Sequence, residues 1–217
     1  MLTAGRSPAS ATFGLVLLHG RGAGARDIIG LGEALALPDL TFVAPEAPGR
    51  SWWPTSFLAP AAQMEPFLQS GFSQIESAIN EMASAGLPRA RIGLLGFSQG
   101  SCLAAEYLSR KGDGLGFGLI LSGGLVGSAD KGAKDPALYG HPDKVLGGTA
   151  DLKSAQIYMS CHAQDPHIPH KRFSDSAEVL EGQGARVTAY SKPGPGHGIE
   201  EADVSSIRKL LNVAAAG

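Results

Sequence analysis

Three residue types that together perform acyl transfer stand along the chain in the order Ser98, Asp165, His197. Ser98 lies in Gly96-Phe97-Ser98-Gln99-Gly100, a G-x-S-x-G segment that follows the apolar run 91–96 and precedes a helical pattern over 101–108. A serine on a sharp strand-to-helix turn projects its Oγ above a sheet, and small residues at Gly96 and Gly100 let the two elements approach closely. The helix N-terminus adds free N–H groups and positive dipole charge where an oxyanion develops. A chance glycine-rich turn is the bland alternative, and the flanking strand and helix patterns weigh against it.

Five histidines follow Ser98: His141, His162, His167, His170 and His197. His197 sits in Gly194-Pro195-Gly196-His197-Gly198, after the last expected strand and before the helical pattern of Ile199, Val204, Ile207 and Leu211. The carboxyl ends of strands are where ligand chemistry collects in open α/β sheets, so His197 is the expected base rather than a surface histidine. Asp165 follows the run 156–161 and falls between serine and histidine, the chain order this triad takes. Asp151 precedes that run and Asp175 falls in the next helix, so both point away from the carboxyl edge. A turn-forming aspartate before proline is a compatible second role for Asp165.

Two rival chemistries use the same stretches. His162, Asp165, His167 and His170 are imidazole and carboxylate types that bind metals, but a loop histidine cluster is often only solvated, and a serine triad leaves a metal without a task. Gly20-Arg21-Gly22-Ala23-Gly24-Ala25 reads as G-x-G-x-x-A, with Glu46 after the second strand where a ribose-binding acid belongs in a dinucleotide site. That reading explains one loop and leaves Ser98, Asp165 and His197 as coincidences. No metal and no cofactor is therefore expected.

These residues need a scaffold that brings distant loops to one edge. Short apolar runs at 13–18, 40–44, 91–96, 117–121, 156–161 and 186–190 alternate with helical patterns, as in a mostly parallel sheet covered by helices on both faces. Phe72, Ile75, Ile79 and Met82 recur at helical spacing and form one buried stripe. The connections 45–66 and 122–154 are long for turns, and such loops are often functional. Length and a 43% apolar content suit one α/β domain over residues 1–217. A net charge of -2, without long runs of one sign, excludes a nucleic-acid footprint and favours a small-molecule partner. No apolar run approaches the roughly 20 residues that span a bilayer. Two cysteines, Cys102 and Cys161, suit buried thiols in the cytoplasm better than a disulfide framework.

Taken together, the chain resembles the carboxylesterase/phospholipase family of α/β-hydrolases that includes the acyl-protein thioesterases. The segments that carry the resemblance are Leu18-His19-Gly20, Pro45 with Arg50 and Trp52-Trp53, Gly96-Phe97-Ser98-Gln99-Gly100, Leu121-Ser122-Gly123, Asp165 before Ile168-Pro169, and Gly196-His197-Gly198. It implies a serine esterase, thioesterase or lysophospholipase whose oxyanion donors are the backbone N–H groups of Arg21 and Gln99, with His19 bracing the loop. Family members commonly carry leucine at Arg21, and a cation there is expected to favour acidic substrates. The chain before the first strand is short, so one antiparallel edge strand of the family is expected to be missing or reduced. Trp52, Trp53, Phe57 and Leu58, with Leu125 and Val126, are the expected wall of an acyl pocket, against the alternative that they pack a loop onto the core. A hydrolase fold that only binds is opposed by the presence of all three triad types.

Overall fold

A computed structural model describes residues 1–216. Strand and helix alternate along it: β1 (Leu2–Gly5), β2 (Phe13–Leu18), α1 (Ala25–Ala34), β3 (Leu40–Ala44), α2 (Ala61–Ser84), β4 (Ile92–Phe97), α3 (Gln99–Lys111), β5 (Phe117–Leu121), the two-residue strands β6 (Lys134–Asp135) and β7 (His141–Pro142), β8 (Gln156–Gln164), α4 (His170–Gly182), β9 (Arg186–Pro195) and α5 (Glu201–Ala216). Seven strands form one sheet in the order β1-β3-β2-β4-β5-β8-β9. All neighbours are parallel except β1, which runs antiparallel to β3. This is the α/β-hydrolase fold.

The continuous apolar strands conceal a period of two, because successive side chains point to opposite faces. In β2, Val16 and Leu18 join the core beneath α2, α3 and α4, where Met64, Phe72, Ile75, Leu103, Tyr107 and Phe173 are buried. Leu15 and Leu17 face the other way, onto Ala25 and Ile28 of α1 and Val204, Ile207 and Leu211 of α5. Burial on both faces is why these strands read as unbroken apolar runs.

Several boundaries depart from expectation for identifiable reasons. Helix α2 begins at Ala61, inside what reads as a loop, and carries Pro66 within it. The buried stripe extends to Met64 and Leu68 on the N-terminal side of Phe72, and this apolar face outweighs the one backbone bond that proline cannot donate. Strands β8 and β9 run on past Cys161 and Tyr190, pairing as far as Gln164 with Pro195 across an irregularity at His162 to Gln164. The antiparallel edge strand is present rather than missing, with Leu2 to Gly5 pairing Ala44 to Thr41. Between β5 and β8 lies a long excursion with a small β6–β7 hairpin. No described helix is long and apolar enough to cross a membrane.

After β2 the chain turns to one side of the sheet, to β3, and then crosses to the other side, to β4. The carboxyl ends of β2 and β4 therefore flank a topological switch point, the crevice where ligands bind in such sheets. Helix α3 starts directly on the end of β4 and crosses it closely. A Cβ on Gly100 would collide with the Leu18 carbonyl oxygen, and one on Gly96 with the Gly100 carbonyl oxygen. Backbone cannot retreat as a flexible side chain can, so Gly100→Ala is expected to destabilise the fold by about 2–3 kcal/mol. Urea unfolding of the purified variant measures this.

Candidate active site

Ser98 joins β4 to α3 with φ 55° and ψ −118°, a backbone conformation that non-glycine residues rarely adopt. Its N–H donates to Leu121 O at 2.9 Å and its carbonyl accepts from Cys102 N at 3.0 Å. These bonds and the glycine-lined crossing hold the strained turn, and the strain turns Oγ out of the sheet.

Ser98 Oγ donates to His197 Nε2 at 2.8 Å. On the far side of the ring, His197 Nδ1–H donates to Asp165 Oδ2 at 2.8 Å and Oδ1 at 3.0 Å. A carboxylate only accepts, so this contact assigns the proton to Nδ1 and leaves Nε2 as the acceptor. Asp165 Oδ1 also accepts from the backbone N–H groups of His167 and Ile168, at 2.8 and 3.0 Å. Burial pushes the Asp165 carboxyl up, but the His197 imidazole and these two amides outweigh it and hold the group below its usual range. Asp165 is therefore a fixed anion behind the ring.

The loop bearing His197 is anchored from beneath. Lys192 and Asp203, both fully buried, form an ion pair at 2.9 Å. Lys192 Nζ also donates to Gly198 O at 2.6 Å, and Asp203 accepts from Glu200 N at 2.8 Å and Tyr158 OH at 3.0 Å. Gly196 lies so close over the His162 ring that a Cβ there would be 2.5 Å from Nε2. The residues on either side of His197 are thus both held.

On the other wall, the loop after β2 carries Arg21. Among the described residues neither the Arg21 nor the Gln99 backbone N–H donates to a backbone acceptor. His19 is buried and braces this loop: Nδ1 meets Gly20 O at 2.8 Å, Nε2 accepts from Ala47 N at 3.0 Å, and its carbonyl accepts from Trp52 Nε1 at 2.9 Å. The Gln99 side chain clamps the neighbouring turn, accepting from Trp52 N at 2.9 Å and donating to Trp53 O at 2.8 Å. A cavity of about 770 Å³ opens over Ser98 and His197, walled by Trp53, Phe57, Phe97 and Ile168.

A family model described as phospholipase/carboxylesterase matches residues 2–215. The chain belongs to this family. A phospholipase/carboxylesterase from Dyadobacter fermentans is 32% identical over 97% of this chain and 94% of its own, with a TM-score of 0.84. The Bacillus cereus carboxylesterase shares 17% identity over 98% of this chain and 93% of that one, with a TM-score of 0.73. A carboxylesterase from Mesorhizobium loti shares 20% over 94% and 91%, with a TM-score of 0.67. Comparison with curated proteins returns no match. The chain is a hydrolase of the carboxylesterase/phospholipase type.

Within this carboxylesterase/phospholipase chain, Ser98, Asp165 and His197 come together at one crevice, while the other expected site residues divide. Trp53 and Phe57 line the cavity, but Trp52, Leu58 and Leu125 do not. Trp52 packs on His19, with ring centroids 5.2 Å apart, and Leu58, Leu125 and Val126 are buried in the core. The proposed metal cluster is dispersed: Nε2 of His162 meets Glu200 at 3.0 Å, that of His170 meets Ser191 at 2.9 Å, and Asp165 serves His197. Among the described residues no group of three or more such side chains is placed to hold a metal. The dinucleotide reading also fails on charge. Glu46 accepts from Ala25 N at 3.0 Å and Asp27 from Gly24 N at 2.7 Å, so two carboxylates occupy the helix terminus where a pyrophosphate would sit. Sequence reading missed Tyr139 and His141, which the hairpin connection brings into the cavity lining, with Tyr139 OH donating to Asp165 O. Only the length of that connection hinted at them.

Removing the cation beneath the His197 loop leaves the Asp203 charge buried without its partner. Lys192→Met is expected to cost about 3 kcal/mol in stability by urea unfolding and to lower kcat in the folded fraction, because Gly198 loses its anchor. Lys192→Met with Asp203→Leu should recover much of the stability.

Proposed function

We propose that the chain cleaves carboxylic esters of small to medium acyl chains by two-step acyl transfer, as one hydrolase domain. The observation that carries this reading is the continuous relay from Ser98 Oγ through His197 to Asp165, which opens into a cavity flanked by two unpaired backbone N–H groups.

Ser98 Oγ attacks the ester carbonyl while His197 Nε2 takes the hydroxyl proton, so negative charge moves to the carbonyl oxygen. The Arg21 and Gln99 amides accept that charge in the tetrahedral intermediate. The intermediate collapses, the bond to the alcohol oxygen breaks, and His197 returns the proton to the departing alkoxide. Water, deprotonated by the same imidazole, then attacks the acyl-serine, and release of the acid restores Ser98. Asp165 stabilises the imidazolium and keeps its tautomer throughout, and every proton is supplied by serine or water. Thioesters and lysophospholipids present the same carbonyl to the same triad. A panel graded by acyl length and leaving group separates these classes, and the apolar wall of Trp53, Phe57, Phe97 and Ile168 favours short to medium chains. Both cysteines are free and buried, which agrees with a reducing cytoplasmic setting.

The triad predicts a ranking. Ser98→Ala and His197→Ala should each lower kcat by roughly 10⁶, and Asp165→Asn by about 10⁴, because it misorients the imidazole while leaving nucleophile and base in place. Asp151→Asn and His170→Ala should change little. Steady-state kinetics on a nitrophenyl ester decide this, and near-full activity in Asp165→Asn would refute the acid assignment. Asp165, held below the usual carboxylate range, remains the charged partner of His197 at neutral pH.

A further inference from the structure

The cavity over Ser98 has a one-sided electrostatic lining. Among the described residues Arg21 is the one permanently charged side chain lining it, beside the polar rings of His141, His167 and His197, and no aspartate or glutamate lines it. Asp165 lies behind His197 and is 1% exposed. The Arg21 guanidinium reaches across the rim, where Nη1 donates to Pro54 O at 3.0 Å and Nη2 donates to Thr55 O. Both acceptors are neutral carbonyls. Among the described residues no carboxylate lies within ion-pair distance of Arg21. Its charge is therefore uncompensated at the mouth of the site.

A guanidinium has five N–H donors in a planar fork. Two are spent on fixing the side chain, and three remain. A cation immobilised in this way binds an incoming anion without first being ordered, and the fork matches the paired oxygens of a carboxylate or phosphate. His167 stands beside His197, with ring centroids 4.8 Å apart at 78°, and His141 adds a further polar ring to the lining. The α3 N-terminus contributes its positive end to the same space.

We propose that Arg21 makes this hydrolase prefer esters that carry a second, anionic group, a carboxylate or a phosphate, on the arm that lies toward Pro54 and Thr55. This rests on the Ser98 reading above and deepens it: Arg21 serves the oxyanion through its backbone and selects the substrate through its side chain. A half-ester of a dicarboxylic acid carries the charge on the acyl arm, and an acylated glycerol phosphate carries it on the alcohol arm.

The test uses two matched pairs, nitrophenyl hemiglutarate against nitrophenyl hexanoate, and an acylglycerol phosphate against the monoacylglycerol with the same acyl chain. The readout is the ratio of kcat/KM, anionic over neutral, within each pair. In the wild type at low salt at least one pair should favour the anion by about tenfold, with the preference shrinking as salt screens the charge. The pair that responds identifies the arm. Arg21→Gln should abolish the preference and Arg21→Lys should retain most of it, which separates a charge effect from loss of the Pro54 and Thr55 anchor. The proposal is overturned if both anionic members are cleaved no faster than their neutral partners, or if Arg21→Gln leaves the ratio unchanged. Absence of turnover on every ester would instead refute the Ser98 reading itself.

Discussion

Everything at this site depends on the close crossing of α3 over the ends of β2 and β4. Gly96 and Gly100 admit backbone where a side chain would collide with carbonyl oxygens, and that contact holds Ser98 at a positive φ. The conformation is unfavourable in isolation and persists because the surrounding sheet and helix over-determine it. In return Oγ leaves the plane of the sheet and the first turn of α3 presents its N–H groups to the same point. The direction of Ser98 Oγ and its electrostatic setting are two results of one packing constraint.

The hydrogen-bonding partners of Ser98 arrive from the strands after β4. Asp165 follows β8 and His197 follows β9, and the parallel arrangement brings both to the carboxyl edge beside Ser98. Each loop has its own support. Asp165 is fixed by two backbone amides, His197 by the buried Lys192–Asp203 pair below Gly198, and the Arg21 loop by His19. A catalytic geometry good to a fraction of an ångström needs such supports, since loops alone hold side chains loosely.

The elements that were legible in the sequence are those whose signal is local. β2, β3 and β5 are continuous apolar runs bounded by turns, and their observed limits match the expected ones. The G-x-S-x-G turn, the chain order of the triad types and the resemblance motifs likewise pointed to the crevice. Less legible were features that only tertiary contact decides. Trp52 and Trp53 are adjacent aromatics of one type, yet one packs on His19 and the other lines the cavity. Lys192 reads as an ordinary strand lysine, and its burial follows from Asp203 on another element. Tyr139 and His141 belong to a segment with no periodicity, so nothing in their neighbourhood announces that the hairpin folds back over the site.

If His197 activates the Ser98 hydroxyl, a fluorophosphonate reads it out, because only an activated serine attacks such a reagent at a useful rate. Mass spectrometry of the folded, labelled protein should find one adduct, on the peptide that contains Ser98, formed rapidly in the wild type and far more slowly in His197→Ala. An unlabelled wild-type protein, an adduct on another residue, or equal labelling in His197→Ala would mean that His197 does not activate Ser98.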